Sequence, residues 1–234
     1  MRIAVDAHAI GQRLSGNEVY IRTLLKEYAE LDSEHEFIAY VSRENVNGWV
    51  PRGFRRRQVS ENPFLRLGSQ LASKLREDCP DLIHVQYTAP LFCSVPIVVT
   101  IHDVSYIERP EYLSSLRTAQ LRASTRYTVR QAAKIITISE FSRRGISKAF
   151  DLDPDKIIVT PLAAQNSFRP MNRIRAAHTV SAALKLDRPY ILNVGDVHPR
   201  KNQISLVKSF RALLNAHPEL PHVLVLAGKH TWFA

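Results

Sequence analysis

The stretch Pro189-Tyr190-Ile191-Leu192-Asn193-Val194-Gly195-Asp196-Val197-His198-Pro199-Arg200-Lys201-Asn202 decides how the rest of the chain is read. Tyr190 to Val194 is an apolar run with the length of a buried strand. Gly195 ends it, where a backbone without Cβ can turn sharply or let a ligand come close. Pro199 suits the first turn of a helix, since its missing N–H would be unpaired there anyway. Arg200, Lys201 and Asn202 then stand at the mouth of a helix expected to run through Ser205 to Ala216. Free N–H groups, a partial positive charge and two cations make an anion site, so this turn is read as holding a phosphate or diphosphate. A capped helix with two solvated cations is the structural alternative. The turn does not match Gly-x-x-x-x-Gly-Lys-Ser/Thr, and no Gly-x-Gly-x-x-Gly occurs in the chain.

Upstream, strands and helices alternate. Arg2 to Val5, Phe37 to Val41, Asp81 to Tyr87, Pro96 to Ile101, Ile135 to Ile138 and Lys156 to Val159 read as strands. Helical patterns follow from Glu18, over Pro63 to Asp78, Ser114 to Lys134 and Glu140 to Phe150, and Gly11 to Asn17 reads as a loop. Pro-Ile-Val-Val-Thr-Ile at 96–101 is continuous and β-branched, as in a parallel strand covered on both faces. The alternation predicts an α/β fold, a doubly wound parallel sheet over 1–160. The segment 161–175, with two prolines, reads as an interdomain linker, and 176–234 as a second Rossmann-like domain. That second part offers a helix at about 176–184, strands at 190–194 and 223–227, and one further helix. These are too few to cover a sheet on both faces, so the domain is expected to be incomplete in this sequence.

Composition narrows the class. The 234 residues are 45% hydrophobic and 23% charged, which suits a globular core. No apolar run approaches the roughly 20 residues that span a bilayer. An acid at Asp6 comes too early for a signal peptide, and Cys79 and Cys93 lack metal-ligand spacing. A reduced, cytoplasmic protein without a structural disulfide is expected. The net charge is +10, of which +7 lies in Arg169 to Ala234. No aromatic-interleaved basic stripe or recognition-helix pattern accompanies it, so nucleic acid is not an expected partner. Arg122, Arg126, Arg130 and Lys134 recur every four residues on one expected helix. With Arg52, Arg55, Arg56 and Arg57 they raise peripheral contact with an anionic membrane as an alternative to a solvated face.

Five stretches in order resemble glycosyltransferase family 4, whose two-Rossmann-domain architecture is called GT-B. They are Ser15-Gly16-Asn17-Glu18-Val19-Tyr20, Val98-Val99-Thr100-Ile101-His102-Asp103, Ile136-Thr137-Ile138-Ser139-Glu140-Phe141-Ser142, Val194 to Asn202, and Leu224-Val225-Leu226-Ala227-Gly228-Lys229. The resemblance implies sugar transfer from a nucleotide-sugar donor to a glycan or lipid-linked acceptor, retaining anomeric configuration, with no cofactor and no metal. It implies that the loop at Gly16 and Asn17 approaches the donor and that His102 lies beside the transferred sugar. Gly195 lets the diphosphate approach, and Arg200 and Lys201 neutralise it. Tyr20, Tyr87 and Asp103 are acceptor-side candidates, Asp103 having a turn-capping alternative.

Two departures from the family pattern stand out. Asn17 and Glu18 replace a second glycine found in many relatives. The family's later Glu-x7-Glu motif is absent, Glu219 being the last acid, so little activity is expected of this chain alone. A non-catalytic module that binds a sugar phosphate or a partner is therefore the second reading, and a GT-B sugar-nucleotide epimerase the third. Asp151-Leu152-Asp153 is read as a loop rather than a metal site. His8 and His84 are read as structural histidines near strand ends.

Overall fold

A computed structural model of the chain describes residues 1–12, 16–31, 34–44, 46 and 48–228. Ser15 and Lys229 of the matching stretches, and the rest of 229–234, lie outside the described residues. The chain divides into two compact units, Met1–Gln165 and Asn166–Ala234, and the division falls inside 161–175.

In the first unit β1 (Arg2–Asp6) leads to α1 (Gly16–Glu30), then β2 (Glu36–Val41) and β3 (Arg55–Gln58). A helical stretch follows in three parts: α2 (Pro63–Leu65), a π-helical turn (Arg66–Gln70) and α3 (Leu71–Asp78). Then come β4 (Leu82–Gln86), β5 (Ile97–Thr100), α4 (Ser105–Glu108), α5 (Ser115–Gln131), β6 (Ala132–Thr137), α6 (Glu140–Phe150) and β7 (Ile157–Val159). All seven strands are parallel, in the order β3-β2-β1-β4-β5-β6-β7. The chain winds outward from β1 to β3, returns to lay β4 on the other side of β1, and continues to β7. The switch point is the β1–β4 seam, and open α/β sheets bind ligands beyond the carboxyl ends of such strands.

Alternation along the strands sorts side chains between two cores. Ala4, Tyr40, Ile83, Val85, Val99 and Ile101 bury one face, and Val5, Phe37, Ala39 and Val41 meet Ile21 and Leu25 of α1 on the other. On β4 and β5, however, the residues alternating with Ile83, Val85 and Val99 include His84, Gln86 and Thr100, all buried and polar. Polar groups thus replace core at the switch point.

Several boundaries differ from the sequence reading. Gly16 and Asn17 belong to the first turn of α1, not to a loop. The long helix ends at Gln131, because residues from Ala132 pair with β5, Lys134 opposite Val98. Lys134 is therefore a strand residue, and the four-membered basic stripe is three arginines on α5. His84 lies within β4 rather than near its end. Arg55 and Arg57 converge on the buried carboxylate of Asp78, at 3.2 and 2.9 Å, and Tyr40 donates to the same group. Two of the four clustered arginines thus secure the sheet edge. Asp151 takes a left-handed conformation after α6, and Asp153 Oδ1 accepts from the Asp155 amide, so that segment is a loop.

The second unit contains α7 (Arg173–Leu184), β8 (Tyr190–Val194), a 3-10 turn (Pro199–Lys201), α8 (Gln203–Ala216) and β9 (Val223–Ala227). Asn172 caps α7 by accepting from the amides of Ile174 and Arg175, so the helix begins three residues before the expected start. β8 and β9 form a parallel pair in continuous register. β8 is mostly exposed, contrary to the buried strand expected from its composition. No helix among the described residues is long and apolar enough to cross a membrane.

Candidate functional site

In the first unit the candidate residues gather beyond the carboxyl ends of β4 and β5. Gln86 ends β4, and its Nε2 donates to the Asn17 carbonyl at 3.4 Å, while its Oε1 pairs with His102 Nε2 at 3.1 Å. A carbonyl only accepts, so the amide must turn its NH2 to Asn17 and its oxygen to the imidazole. His102 then donates from Nε2, and the neutral ring keeps a lone pair on Nδ1. Burial holds the His102 pKa below its ordinary value, against an upward pull from Asp103. The ring is thus neutral near pH 7. Tyr20 and Tyr87 pack against it in T-shaped contacts at centroid distances of 4.6 and 5.7 Å.

A second chain of hydrogen bonds lies beneath. Thr100 Oγ1 is 3.0 Å from Tyr20 Oη and 2.7 Å from His84 Nε2. Burial, and secondarily the neighbouring His102, lower His84 to about 4. Tyr87 adopts a left-handed conformation (φ 58°) while its amide donates to the Thr100 carbonyl. A bulky residue is rarely held there, and such strain concentrates at functional sites. Asp103 Oδ1 accepts from the Ser105 amide at 2.9 Å, so this carboxylate does cap a turn. Gly16 has open space around its Cβ position. Gly16, Asn17, Tyr20, Tyr87 and His102 are thus brought together in one unit.

In the second unit the turn after β8 is built by local contacts. A Cβ on Gly228, just past β9, would meet the Gly195 carbonyl oxygen at 1.9 Å, so the two strand ends touch as only glycine permits. His198 Nδ1 accepts from the Arg200 amide at 3.1 Å, and Asn202 (φ 51°) separates the 3-10 turn from α8. Arg200 and Lys201 therefore occupy their own turn ahead of α8 rather than its first turn. Both are exposed and form no ion pair among the described residues. Buried Gln203 anchors the turn: its Nε2 faces Asn193 Oδ1, Gly195 O and Asp196 O at 3.3 to 3.4 Å, and its Oε1 accepts from the His198 amide.

Sequence reasoning passed over Gln86, Thr100 and Gln203. For the first two a signal existed, in polar residues standing at alternate positions of otherwise apolar strands. Gln203 offered none, because a glutamine opening a helix is unremarkable until its partners are known.

A family model described as Glycosyltransferase Family 4 matches residues 14–164. The O-antigen chain mannosyltransferase B of Escherichia coli is 29% identical over 135 residues, covering 58% of this chain and 35% of that protein. Among solved structures, Anabaena Alr3699/HepE in complex with UDP and glucose aligns with a TM-score of 0.68 at 16% identity, over 99% of this chain and 62% of that one. WaaG, a glycosyltransferase involved in lipopolysaccharide biosynthesis, aligns with a TM-score of 0.67 at 15% identity, over 97% and 63%. The chain thus spans about a third of the curated relative's length and under two thirds of these structures. At such identities the structural likeness concerns the fold, which is the α/β GT-B class. Together with the family match over most of its length, this places the chain in Glycosyltransferase Family 4.

Proposed function

We propose that this protein transfers a sugar from a nucleoside diphosphate sugar to a glycan or lipid-linked acceptor, with retention at the anomeric carbon. The observation that carries the reading is the His102–Gln86–Asn17 chain, which ties a neutral imidazole to the first turn of α1 beyond the carboxyl edge of the sheet. In this proposal His102 contacts the transferred sugar and the backbone at Gly16 and Asn17 approaches the donor. Tyr20 and Tyr87 flank the acceptor, with Asp103 shaping the adjoining turn.

The leaving group is a nucleoside diphosphate, so negative charge grows on its oxygens as the glycosidic bond breaks. Arg200 and Lys201 supply fixed positive charge where it stabilises the transition state most. Gly195, whose missing Cβ faces the Lys201 side chain, leaves the backbone bare beside that cation. These groups fill the role a divalent ion would otherwise serve, so the reaction is proposed to need no metal or other cofactor, and to proceed in the cytoplasm.

Titrating UDP-, GDP- and ADP-sugars and following nucleoside diphosphate release tests this, with the product anomer read by NMR and EDTA as the metal control. R200A/K201A should weaken donor binding about 100-fold. H102A should slow turnover by a similar factor, about 100-fold, with donor binding nearly unchanged. Binding without turnover would favour the binding module instead, and absence of both would remove the proposal. Peripheral membrane contact through exposed Arg122 and Arg130 belongs to the same reading. Vesicle sedimentation that is equal with and without anionic lipid would end that part.

A further inference from the structure

Arg66 is the most unusual cation in the first unit. It opens the π-helical turn between α2 and α3, a backbone irregularity that recurs at functional sites. Its side chain is only 6% exposed, yet its nearest anion, Asp6 Oδ2 at the carboxyl end of β1, is 3.9 Å away. Its buried Nε has no hydrogen-bond partner, and among the described residues its guanidinium donates no hydrogen bond. Asp6 divides its oxygens, Oδ1 taking the His8 ring Nδ1 at 3.0 Å and the His8 amide at 3.2 Å, so that only Oδ2 faces Arg66, beyond hydrogen-bond distance. Burial pushes the Asp6 carboxyl up, but His8 and Arg66 more than offset this and leave it below its ordinary value. A desolvated guanidinium whose planar fork of donors is unspent is a costly arrangement unless an anion completes it.

The surroundings of Arg66 are apolar on the outside. Phe64 and Leu65, directly before it, are 76% and 59% exposed. The Leu91 amide donates to the Leu67 carbonyl at 2.7 Å, which brings the exposed pair Leu91 and Phe92 alongside. Phe92 is held in a left-handed conformation (φ 56°), uncommon for an aromatic residue. An unspent buried cation beside an exposed apolar rim, at the ligand-binding edge of the sheet, matches one kind of molecule. We infer that Arg66 and the rim of Phe64, Leu65, Leu91 and Phe92 form an acceptor subsite for an amphiphile, with its phosphoryl or diphosphoryl head on the guanidinium and its hydrocarbon tail on the rim. The inference rests on the transferase reading and makes it specific: the acceptor is a lipid-linked phosphate rather than a free glycan.

Calorimetric titration of the whole chain with farnesyl diphosphate, inorganic pyrophosphate and farnesol tests it. Farnesyl diphosphate should bind more tightly than either of the others. R66M should weaken it about tenfold or more, and F64S/F92S should weaken it while leaving pyrophosphate unchanged. R200A/K201A should leave farnesyl diphosphate binding intact, and nucleotide-sugar titration of the same variant reports separately on the donor proposal. If R66M proves unfolded, the 15Nε resonance of Arg66, assigned by its loss in R66K, must shift on adding farnesyl diphosphate. No binding, binding unaffected by R66M, binding lost only in R200A/K201A, or an unmoved Arg66 resonance would each overturn the inference.

Discussion

Two pairs of adjacent strands in this molecule teach by their difference. β4–β5 and β8–β9 are both parallel, both mostly apolar and both in regular register. In the first pair Ile83, Val85 and Val99 are completely buried, whereas Ile191, Leu192 and Val194 of the second are 42%, 52% and 73% exposed. Backbone pairing is equal in the two, so burial follows from what covers the sheet rather than from the strand's own composition. The sites differ in a complementary way. In the first unit the bonds tie residues far apart in sequence, Asn17 to Gln86 and Tyr20 to Thr100. In the second, Gln203 gathers partners no more than ten residues away, so the turn forms without a deep core around it.

The sharpest test of this contrast is a paired truncation. Ile83→Ala should destabilise by about 2–5 kcal/mol, because it opens a cavity in a packed face. Leu192→Ala, already half in water, should cost under about 1 kcal/mol. Equal losses in urea melts would mean that the two pairs are covered alike. Next in size is a pH effect confined to the first unit. Folded His84 titrates near 4 and an unfolded histidine near 6.5, so as pH falls the unfolded chain takes up the proton first. Stability should be fully present above about pH 6.5 and fall by about 3 kcal/mol on approaching pH 4. His84→Gln should remove most of that slope, leaving the part that comes from buried His102, and a slope unchanged by the substitution would assign it elsewhere.

How legible the molecule was depended on the range of the contacts. The strand at 190–194, the glycine turn and the cations after it could be read because neighbours in sequence build them. Lys134 was misplaced because helical spacing continued past Gln131, while pairing with β5 claimed the chain from Ala132 onward. Likewise His84 read as a structural histidine and Thr100 only as part of a β-branched strand, and their bond to each other came from the crossover that laid β4 beside β5.

Smaller effects sharpen the local side of the comparison. Gln203→Leu should cost about 1–2 kcal/mol and raise amide exchange across residues 195–201 while leaving β4 and β5 protected. Exchange rising equally in both units would show that the turn is not held locally. Least of all, Gly16→Ala fills open space in a helical turn and should stabilise the fold by at most about 1 kcal/mol. It should nonetheless weaken nucleotide-sugar binding, and unchanged affinity would place the donor away from that turn.

The sequence by itself determined the α/β class, the family and the existence of a glycine turn carrying two cations at 195–202, since periodicity, glycine and caps act over a few residues. Only the tertiary structure decided that His102 is a neutral donor to Gln86, that Arg66 is buried with its donors unspent, and that β8 is left mostly in water. Each of those depends on what the folded chain brings near a group or fails to bring. Desolvation and hydrogen-bond completion belong to that assembled neighbourhood, not to any residue taken alone.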